Sequence, residues 1–183
     1  MARPRKKNAR RPPGGPVECP FKIIIDTREQ RPYTFSGLKS DVDEKRGEIE
    51  VEVVRGSLKH GDYQVSSMPE FCIERKSLDD LYGSISRRDN FVNRFQSMSR
   101  DGVRGAIVVE AELRQVIGHP PPFTKLHPKS VSRTIQAWSL RYPHVAWWFL
   151  ADRVWAEAWT FRLLQRWWKD HQHGIPDSSD SLD

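Results

Sequence analysis

Cysteine is scarce in this sequence. Only Cys19 and Cys72 occur among 183 residues, and they show neither zinc-type spacing nor the density of a disulfide framework. A small covalently stapled scaffold is excluded. A reducing compartment fits, with both thiols as ordinary buried or half-buried groups. Long apolar runs are missing too. The longest, residues 145–151, falls far short of the roughly 20 residues that cross a bilayer. The apolar core of a signal peptide is also lacking. The expectation is an intracellular, cytoplasmic protein with no membrane partner, associated with the nucleoid in a bacterial or phage setting. No internal repeat is present.

What the chain does have is charge, unevenly placed. The formal net charge is +6. Residues 1–18 carry Arg3, Arg5, Lys6, Lys7, Arg10 and Arg11 against Glu18, whereas Asp177, Asp180 and Asp183 make the C-terminus acidic. Residues 1–20 therefore read as a disordered basic arm, 21–172 as one folded domain, and 173–183 as a disordered acidic tail. A basic arm attracts polyanions by counterion release, although a merely solvated terminus has the same composition.

Within the body, hydrophobic patterning predicts an α/β domain. Residues 21–26 (FKIIID) form a buried strand that ends in a carboxylate. Residues 30–47 read as a loop. Residues 49–55 alternate, with Ile49, Val51 and Val53 on one side, and predict one half-exposed strand. Residues 61–66 and 71–75 read as a hairpin joined by Ser67-Met68-Pro69-Glu70. Ser77-Leu78-Asp79-Asp80 is a capping box opening a helix. A helix over 90–100, a strand over 105–110, a helix from Pro128 to about 142, a strand over 145–150 and a last helix from about 153 to 169, capped by Asp152, complete the pattern. A mixed sheet covered by helices follows.

The chemistry sits in Gly61-Asp62-Tyr63 and Glu74-Arg75-Lys76. Glu74 and Lys76 are two apart on a strand, so both leave the same face. Asp62, on the partner strand, can approach Glu74. Two carboxylates and an ammonium would then converge on one point. Hydrolysis of a phosphodiester needs carboxylate oxygens for hard divalent cations, an activated water and a charge opposite the developing oxyanion. In this arrangement Asp62 and Glu74 hold the metal, the Arg75 carbonyl adds an oxygen, and Lys76 orients water or neutralises charge. The spacing alone equally describes a solvated strand with an exposed Glu–Lys pair.

The neighbouring motifs add to this. IIIDTREQRP ending the first strand, then GDY, then ERKSLDDLYGSI resemble, in order and separation, the nuclease domain of the XPF family of structure-specific endonucleases. The likeness covers about residues 21–112. It implies a restriction-endonuclease-like central mixed sheet flanked by helices. It implies Mg²⁺ or Mn²⁺ as cofactor and branched, flapped or otherwise distorted DNA as partner. By the resemblance Asp26, Glu29, Asp62, Glu74 and Lys76 are catalytic. Asp26, Asp62, Glu74 and Arg75 hold metal, and Arg28 and Arg75 are motif arginines that face substrate. Arg87 and Arg88, nearest the site among several arginines, are expected on phosphates. Asp80 matches a family acid but is better explained by the Ser77 capping box.

Where the family often carries a Gly-Arg-hydrophobic stretch and a helical Gln or Glu, this chain reads Arg87-Arg88-Asp89-Asn90-Phe91-Val92-Asn93-Arg94. A helix-hairpin-helix domain like that of eukaryotic members is not expected here. Substrate choice is therefore expected from the body, the arm or another protein. All seven tryptophans lie between positions 138 and 168. Trp155, Trp159, Leu163 and Trp167 share one face of the last helix, expected to pack on the sheet or to form a homodimer interface. The reading is a metal-dependent DNA endonuclease of repair or recombination. An inactive binding module of the same fold and a Holliday-junction-type resolvase are its alternatives.

Overall fold

The computed structural model describes residues 15–40 and 47–172. The arm up to residue 14 and the acidic tail lie outside the described residues. In chain order the elements are β1 (Val17–Glu18), β2 (Ile23–Asp26), β3 (Ile49–Glu50), β4 (Val53–Gly56), β5 (Tyr63–Val65), β6 (Met68–Lys76), α1 (Leu78–Ser86), α2 (Arg88–Arg100), β7 (Arg104–Val109), α3 (Leu113–Gly118), α4 (Pro128–Arg141), β8 (Val145–Phe149) and α5 (Arg153–Gln172).

Six strands form one sheet in the order β4-β2-β5-β6-β7-β8, and β1 pairs with β3 in a separate two-stranded piece. β5 runs antiparallel to both β2 and β6, while β2–β4, β6–β7 and β7–β8 are parallel. This is the mixed sheet that the patterning predicts. Alternation along the strands sends side chains to two cores. Cys72, Ile107 and Val109 pack with Leu81, Phe91, Phe95, Val131 and Trp138 of α1, α2 and α4. Ile23, Ile25, Tyr63, Ile73 and Val108 pack with Ala156, Phe161 and Leu164 of α5. Burying each large apolar side chain contributes roughly 1.5–3 kcal/mol, so the two cores hold the sheet from both faces.

Local signals place several boundaries. The Ser77 hydroxyl oxygen accepts from the Asp80 backbone N–H at 3.1 Å and caps α1, while its O–H donates to Asp80 Oδ2 at 2.7 Å; the expected reciprocal bond to the Ser77 backbone N–H is not among the described bonds. Asp152 Oδ1 accepts from Trp155 N at 3.0 Å and caps α5. Both cysteines are buried and unbridged. Among the described residues no helix is long and apolar enough to cross a membrane.

Four expectations are corrected. Residues 15–20 are not all arm: Val17 N donates to Glu48 O at 2.7 Å and Cys19 N to Glu50 O at 2.9 Å. The alternating stretch 49–55 is two strands in different sheets, because Ile49–Glu50 pairs with β1 while Val53–Gly56 edges the main sheet beside β2. There Val53 and Val54 are both exposed. The hairpin turns at Ser66 and Ser67, since β6 already starts at Met68. Finally, the expected Trp155–Trp159–Leu163–Trp167 stripe splits: Trp155 and Trp159 point outward, 61% and 36% exposed, whereas Leu163 packs on the sheet-side core with Ala156, Phe161 and Leu164, and Trp167 stacks on Phe71 of β6 at 4.9 Å.

Candidate active site

The site forms where β2, β5 and β6 come together. Asp62 immediately precedes β5, and its N–H donates to Ile73 O at 2.7 Å. Gly61 makes this approach possible: its φ is +69°, and a Cβ there would lie 2.8 Å from Cys72 Cβ and 2.9 Å from Ile73 O. A side chain would therefore meet both backbone strain and a clash. Tyr63 and Ile73 pair across the hairpin toward the α5 core. Their neighbours Asp62 and Glu74 consequently turn to the other face. Asp26, ending β2, reaches the same side.

A cleft of about 230 Å³ opens on that face. Asp26, Arg28, Lys59, His60, Asp62, Glu74, Lys76 and Arg94 supply its polar wall, and Cys72, Phe91, Phe95 and Met98 its apolar floor. Lys76 Nζ donates to Glu74 Oε1 at 2.6 Å, and Arg94 Nη1 donates to the same oxygen at 2.6 Å. The Lys76 ammonium also lies 5.6 Å from the Phe91 ring centroid, which restrains it further. Asp62 Oδ2 accepts the Arg75 backbone N–H at 2.7 Å. Burial, with the nearby Glu74 charge second, pushes the Asp62 carboxyl up to about 7.

Asp26 stands on the cleft wall in a different state. Its Oδ1 accepts from Arg28 N at 2.8 Å and Arg28 Nε at 2.7 Å. Its Oδ2 accepts from Leu58 N at 2.7 Å and Arg28 Nη2 at 3.1 Å. The Arg28 side-chain bond, helped by the backbone donors, holds this carboxyl well below the usual range, at about 2. Asp26 is thus an ionised anchor with both oxygens occupied, not an open ligand. Arg28, its side chain 70% exposed, carries the remaining charge to the cleft's edge.

Glu29 and the Arg75 side chain are not in the cleft. Between Glu74 and Lys76, Arg75 leaves β6 on the opposite face, where its side chain is 4% exposed. Its Nε lies 3.4 Å from Glu29 Oε2 and its Nη1 3.5 Å from Glu110 Oε2. Arg153 of α5 joins them, donating to Glu110 Oε1 at 2.9 Å and to the carbonyls of Arg31 and Pro32 at 2.8 Å. The substrate-facing role expected for Arg75 is therefore corrected: its guanidinium is an internal counter-charge. Glu29 is its partner, and the catalytic placement expected for Glu29 is corrected with it. Arg87 lines a shallow groove beyond Lys76 with Asp80, Asn90 and Arg94, and Arg88 a further one with Arg87. Neither reaches the cleft.

From sequence, Arg94 is one of several helical arginines that could meet phosphate; its bond to Glu74 is what the patterns do not reveal. The i, i+4 relation of Arg94 to Asn90 puts it beside the groove, but its pairing with a strand residue 20 positions away has no local signature. Glu110 and Arg153 are invisible for the same reason.

The donor set suits a hard divalent cation in part. Among the described residues no three His, Cys, Asp or Glu side chains converge as a ready metal cage. Asp62 and Glu74 do share one wall of the cleft, and burial first and the Glu74 charge second both disfavour an ionised Asp62, which a bound cation would offset. Mg²⁺ commonly takes one or two carboxylates and fills its other positions with water and phosphate oxygens. The pair fits that habit.

Comparison with known proteins agrees with the geometry. The family model described as the ERCC4 domain matches residues 25–162. No curated protein matches the chain. Among solved structures, XPF from Aeropyrum pernix superposes with a TM-score of 0.55 at 20% identity, covering 88% of this chain and 75% of that one. XPF from Aeropyrum pernix in complex with DNA gives 0.54 at 18% identity, covering 86% and 68%. The fold, a mixed sheet flanked by helices, is shared with these structures, and the stretch matched by the family model contains Asp26, Asp62, Glu74 and Lys76. The chain belongs to the ERCC4 domain family and has the α/β fold of an XPF nuclease domain.

Proposed function

We propose that this protein is a metal-dependent endonuclease that hydrolyses phosphodiester bonds in branched, flapped or junction DNA. The observation that carries the reading is the convergence of Asp62, Glu74 and Lys76 in one cleft, with Lys76 bonded to Glu74. XPF from Aeropyrum pernix is known in complex with DNA, which supports DNA as the ligand here.

Asp62 and Glu74 would hold Mg²⁺ or Mn²⁺, with the Arg75 carbonyl as a further oxygen donor and Asp26, held by Arg28, as fixed negative charge beside them, and the ion would supply Lewis-acid polarisation of the phosphate. Lys76 has two roles. Bonded to Glu74, it fixes that carboxylate's rotamer. Its ammonium also stands where charge builds on the phosphate, and losing such a group costs about 10²–10³ in rate. Arg28 and Arg94 at the rim, with Arg87 and Arg88 along the outer grooves, bind flanking phosphates, which gives affinity without sequence readout. Phe91, Phe95 and Met98 beneath the site exclude water and strengthen these interactions. In-line attack by water leaves a 5′-phosphate and a 3′-hydroxyl.

The protein acts inside the cell, in the cytoplasm, where DNA repair or recombination supplies such substrates. A homodimer through the C-terminal helices is part of this proposal. Trp148, Val154, Trp155 and Trp159 are exposed together at the β8–α5 edge, and the Trp148 and Trp159 rings lie 5.1 Å apart. A second reading, a binding module without catalysis, draws on Glu74 being neutralised by two cations at once.

One assay separates the two. Labelled fork, flap and four-way substrates are incubated with and without Mg²⁺, alongside Glu74→Ala and Asp62→Ala. Metal-dependent cutting lost in both variants supports the nuclease. Tight DNA binding with no cut in any sample supports the module, and equal cutting by wild type and variants sinks the site assignment. The preferred substrate also distinguishes a flap or fork nuclease from a resolvase.

A further inference from the structure

We propose that Arg94 is a displaceable counter-cation that occupies Glu74 in the metal-free protein and leaves it for a substrate phosphate when the divalent ion enters. The inference rests on the metal-site reading above and goes beyond it: Arg94 would couple cation binding to DNA binding.

Three observations carry it. First, Glu74 Oε1 holds two cations at once, Lys76 Nζ and Arg94 Nη1, each at 2.6 Å. A carboxylate oxygen so engaged has little capacity left for a metal, whereas its neighbour Asp62 accepts only the Arg75 backbone N–H among the described bonds. Glu74 Oε2 has no partner among the described bonds and can meet an ion first, but one of the two cations must yield before Glu74 can offer both oxygens.

Second, the two cations are not equally free to move. The Lys76 side chain is 12% exposed and sits against the Phe91 ring. The Arg94 side chain is 58% exposed, reaches in from α2 at the cleft mouth, and has Glu74 as its one acidic partner among the described residues. The Glu74 carboxylate it covers is 10% exposed. Arg94 is therefore the outer of the two, between the buried carboxylate and solvent.

Third, the released guanidinium stays where a phosphate arrives. Arg94 borders both the cleft and the adjoining groove with Arg87. A planar guanidinium pairs with phosphate as readily as with carboxylate, through parallel N–H bonds. Exchange from Glu74 to phosphate thus keeps the arginine paired while it vacates Glu74 Oε1.

The consequence is linkage. A cation that displaces Arg94 binds with its intrinsic affinity multiplied by the fraction of protein in which Arg94 is already unseated. DNA that draws Arg94 away removes this handicap, so DNA and metal each favour the other's binding by the same factor. The device would restrain metal loading until substrate is present.

The test is a calorimetric titration of Mn²⁺ into DNA-free protein at fixed pH, for wild type, Arg94→Ala and Arg94→Gln, with Asp62→Ala as the site control. The expected result is Mn²⁺ binding roughly two- to fivefold tighter in both Arg94 variants, the range for a partly exposed ion pair. Fluorescence anisotropy in EDTA should show DNA binding weakened in the same variants, with a shallower dependence on salt. Arg94→Gln preserves helix propensity, and unchanged thermal midpoints confirm that both variants fold. Mn²⁺ affinity that is unchanged or weaker in both variants, while still lost in Asp62→Ala, overturns the Arg94 exchange and leaves the nuclease reading standing. Mn²⁺ binding that is undetectable or indifferent to Asp62→Ala overturns the metal site and this inference together.

Discussion

Asp62 and Arg75 meet through backbone rather than side chain: Asp62 Oδ2 accepts the Arg75 N–H at 2.7 Å, while the Arg75 guanidinium lies on the far face of the sheet with Glu29. One residue of the ERK motif therefore serves both faces. Its amide orients a cleft carboxylate, and its side chain neutralises an internal acid. The two functions are separable by mutation.

The cleft face gives a pH prediction. Burial and Glu74 lift Asp62 to about 7, whereas an unfolded Asp ionises near about 3.9. Between those values the native protein holds a proton that the unfolded chain has lost. Stability of the metal-free protein must then fall as pH rises from roughly 4 to 7, and level off above. Asp62→Asn keeps an oxygen for the Arg75 N–H and removes the charge. In EDTA its Tm should exceed that of wild type by about 5 °C or more at pH 8, and the gap should close toward pH 5. Scanning calorimetry at the two pH values decides it. A constant gap would remove Asp62 ionisation as the cause. Mg²⁺ should raise the Tm of wild type and not of Asp62→Asn.

The opposite face gives a stability prediction. Glu29 and Glu110 are about nine-tenths buried around Arg75. Arg75→Ala leaves Glu29 with no internal cation and Glu110 with only Arg153. Removing one partner of a buried ionic cluster costs about 3–5 kcal/mol, so Tm should fall by about 10 °C. DNA binding by the folded fraction should keep its dependence on salt. An unchanged Tm with a reduced salt slope would instead return Arg75 to the substrate side.

The contrast between the two faces shows where sequence reading reaches and where it stops. Strand periodicity is local, so IIID and ERK announce both the strands and the side from which Glu74 and Lys76 emerge. The Ser77–Asp80 and Asp152–Trp155 caps are local too and appear where expected. Alternation in 49–55 misleads because it does not say which strand, if any, covers a residue: Val53, on the edge of the main sheet, is exposed. Ile49 is buried by pairing with Val17, 32 residues earlier. For Trp155 and Trp159, helical spacing identifies a stripe but not its direction. The sheet side goes instead to Ala156, Thr160, Phe161 and Leu164, all fully buried. Arg94, Glu110 and Arg153 depend on contacts 20 to 122 residues apart, and no window along the chain contains both partners.

The N-terminus supplies a paired truncation test. Val17 and Cys19 hydrogen-bond to the 48–50 segment, and Cys19 and Phe21 are buried in the α5-side core. Removing residues 1–14 should therefore leave Tm unchanged, whereas removing 1–20 should lower it by several degrees through loss of β1 and the Cys19 packing. The shorter deletion also removes six basic residues. If the arm binds DNA, affinity should drop and the log–log salt slope should shrink, each lost phosphate contact contributing about 0.9. Equal Tm loss in both truncations would mean that the fold depends on residues before Gly15.

The aromatic edge predicts the state of association. Val154 and Trp155 are 75% and 61% exposed, and Trp148 and Trp159 are each 36% exposed. They cluster where β8 ends the main sheet and α5 crosses it. Contiguous apolar surface of this kind marks an interaction site, and tryptophans at the centre of an interface carry much of its binding energy. A two-fold contact would bring each patch against its own copy. Trp155→Glu places a charge at its most exposed tryptophan without touching the buried Ala156–Thr160–Leu164 stripe. Sedimentation velocity should find wild type as a dimer and Trp155→Glu as a monomer, with the monomer retaining its Tm at matched low concentration. A monomeric wild type at tens of micromolar would assign the patch to a different partner. A dimer that survives Trp155→Glu would place the interface elsewhere on the molecule.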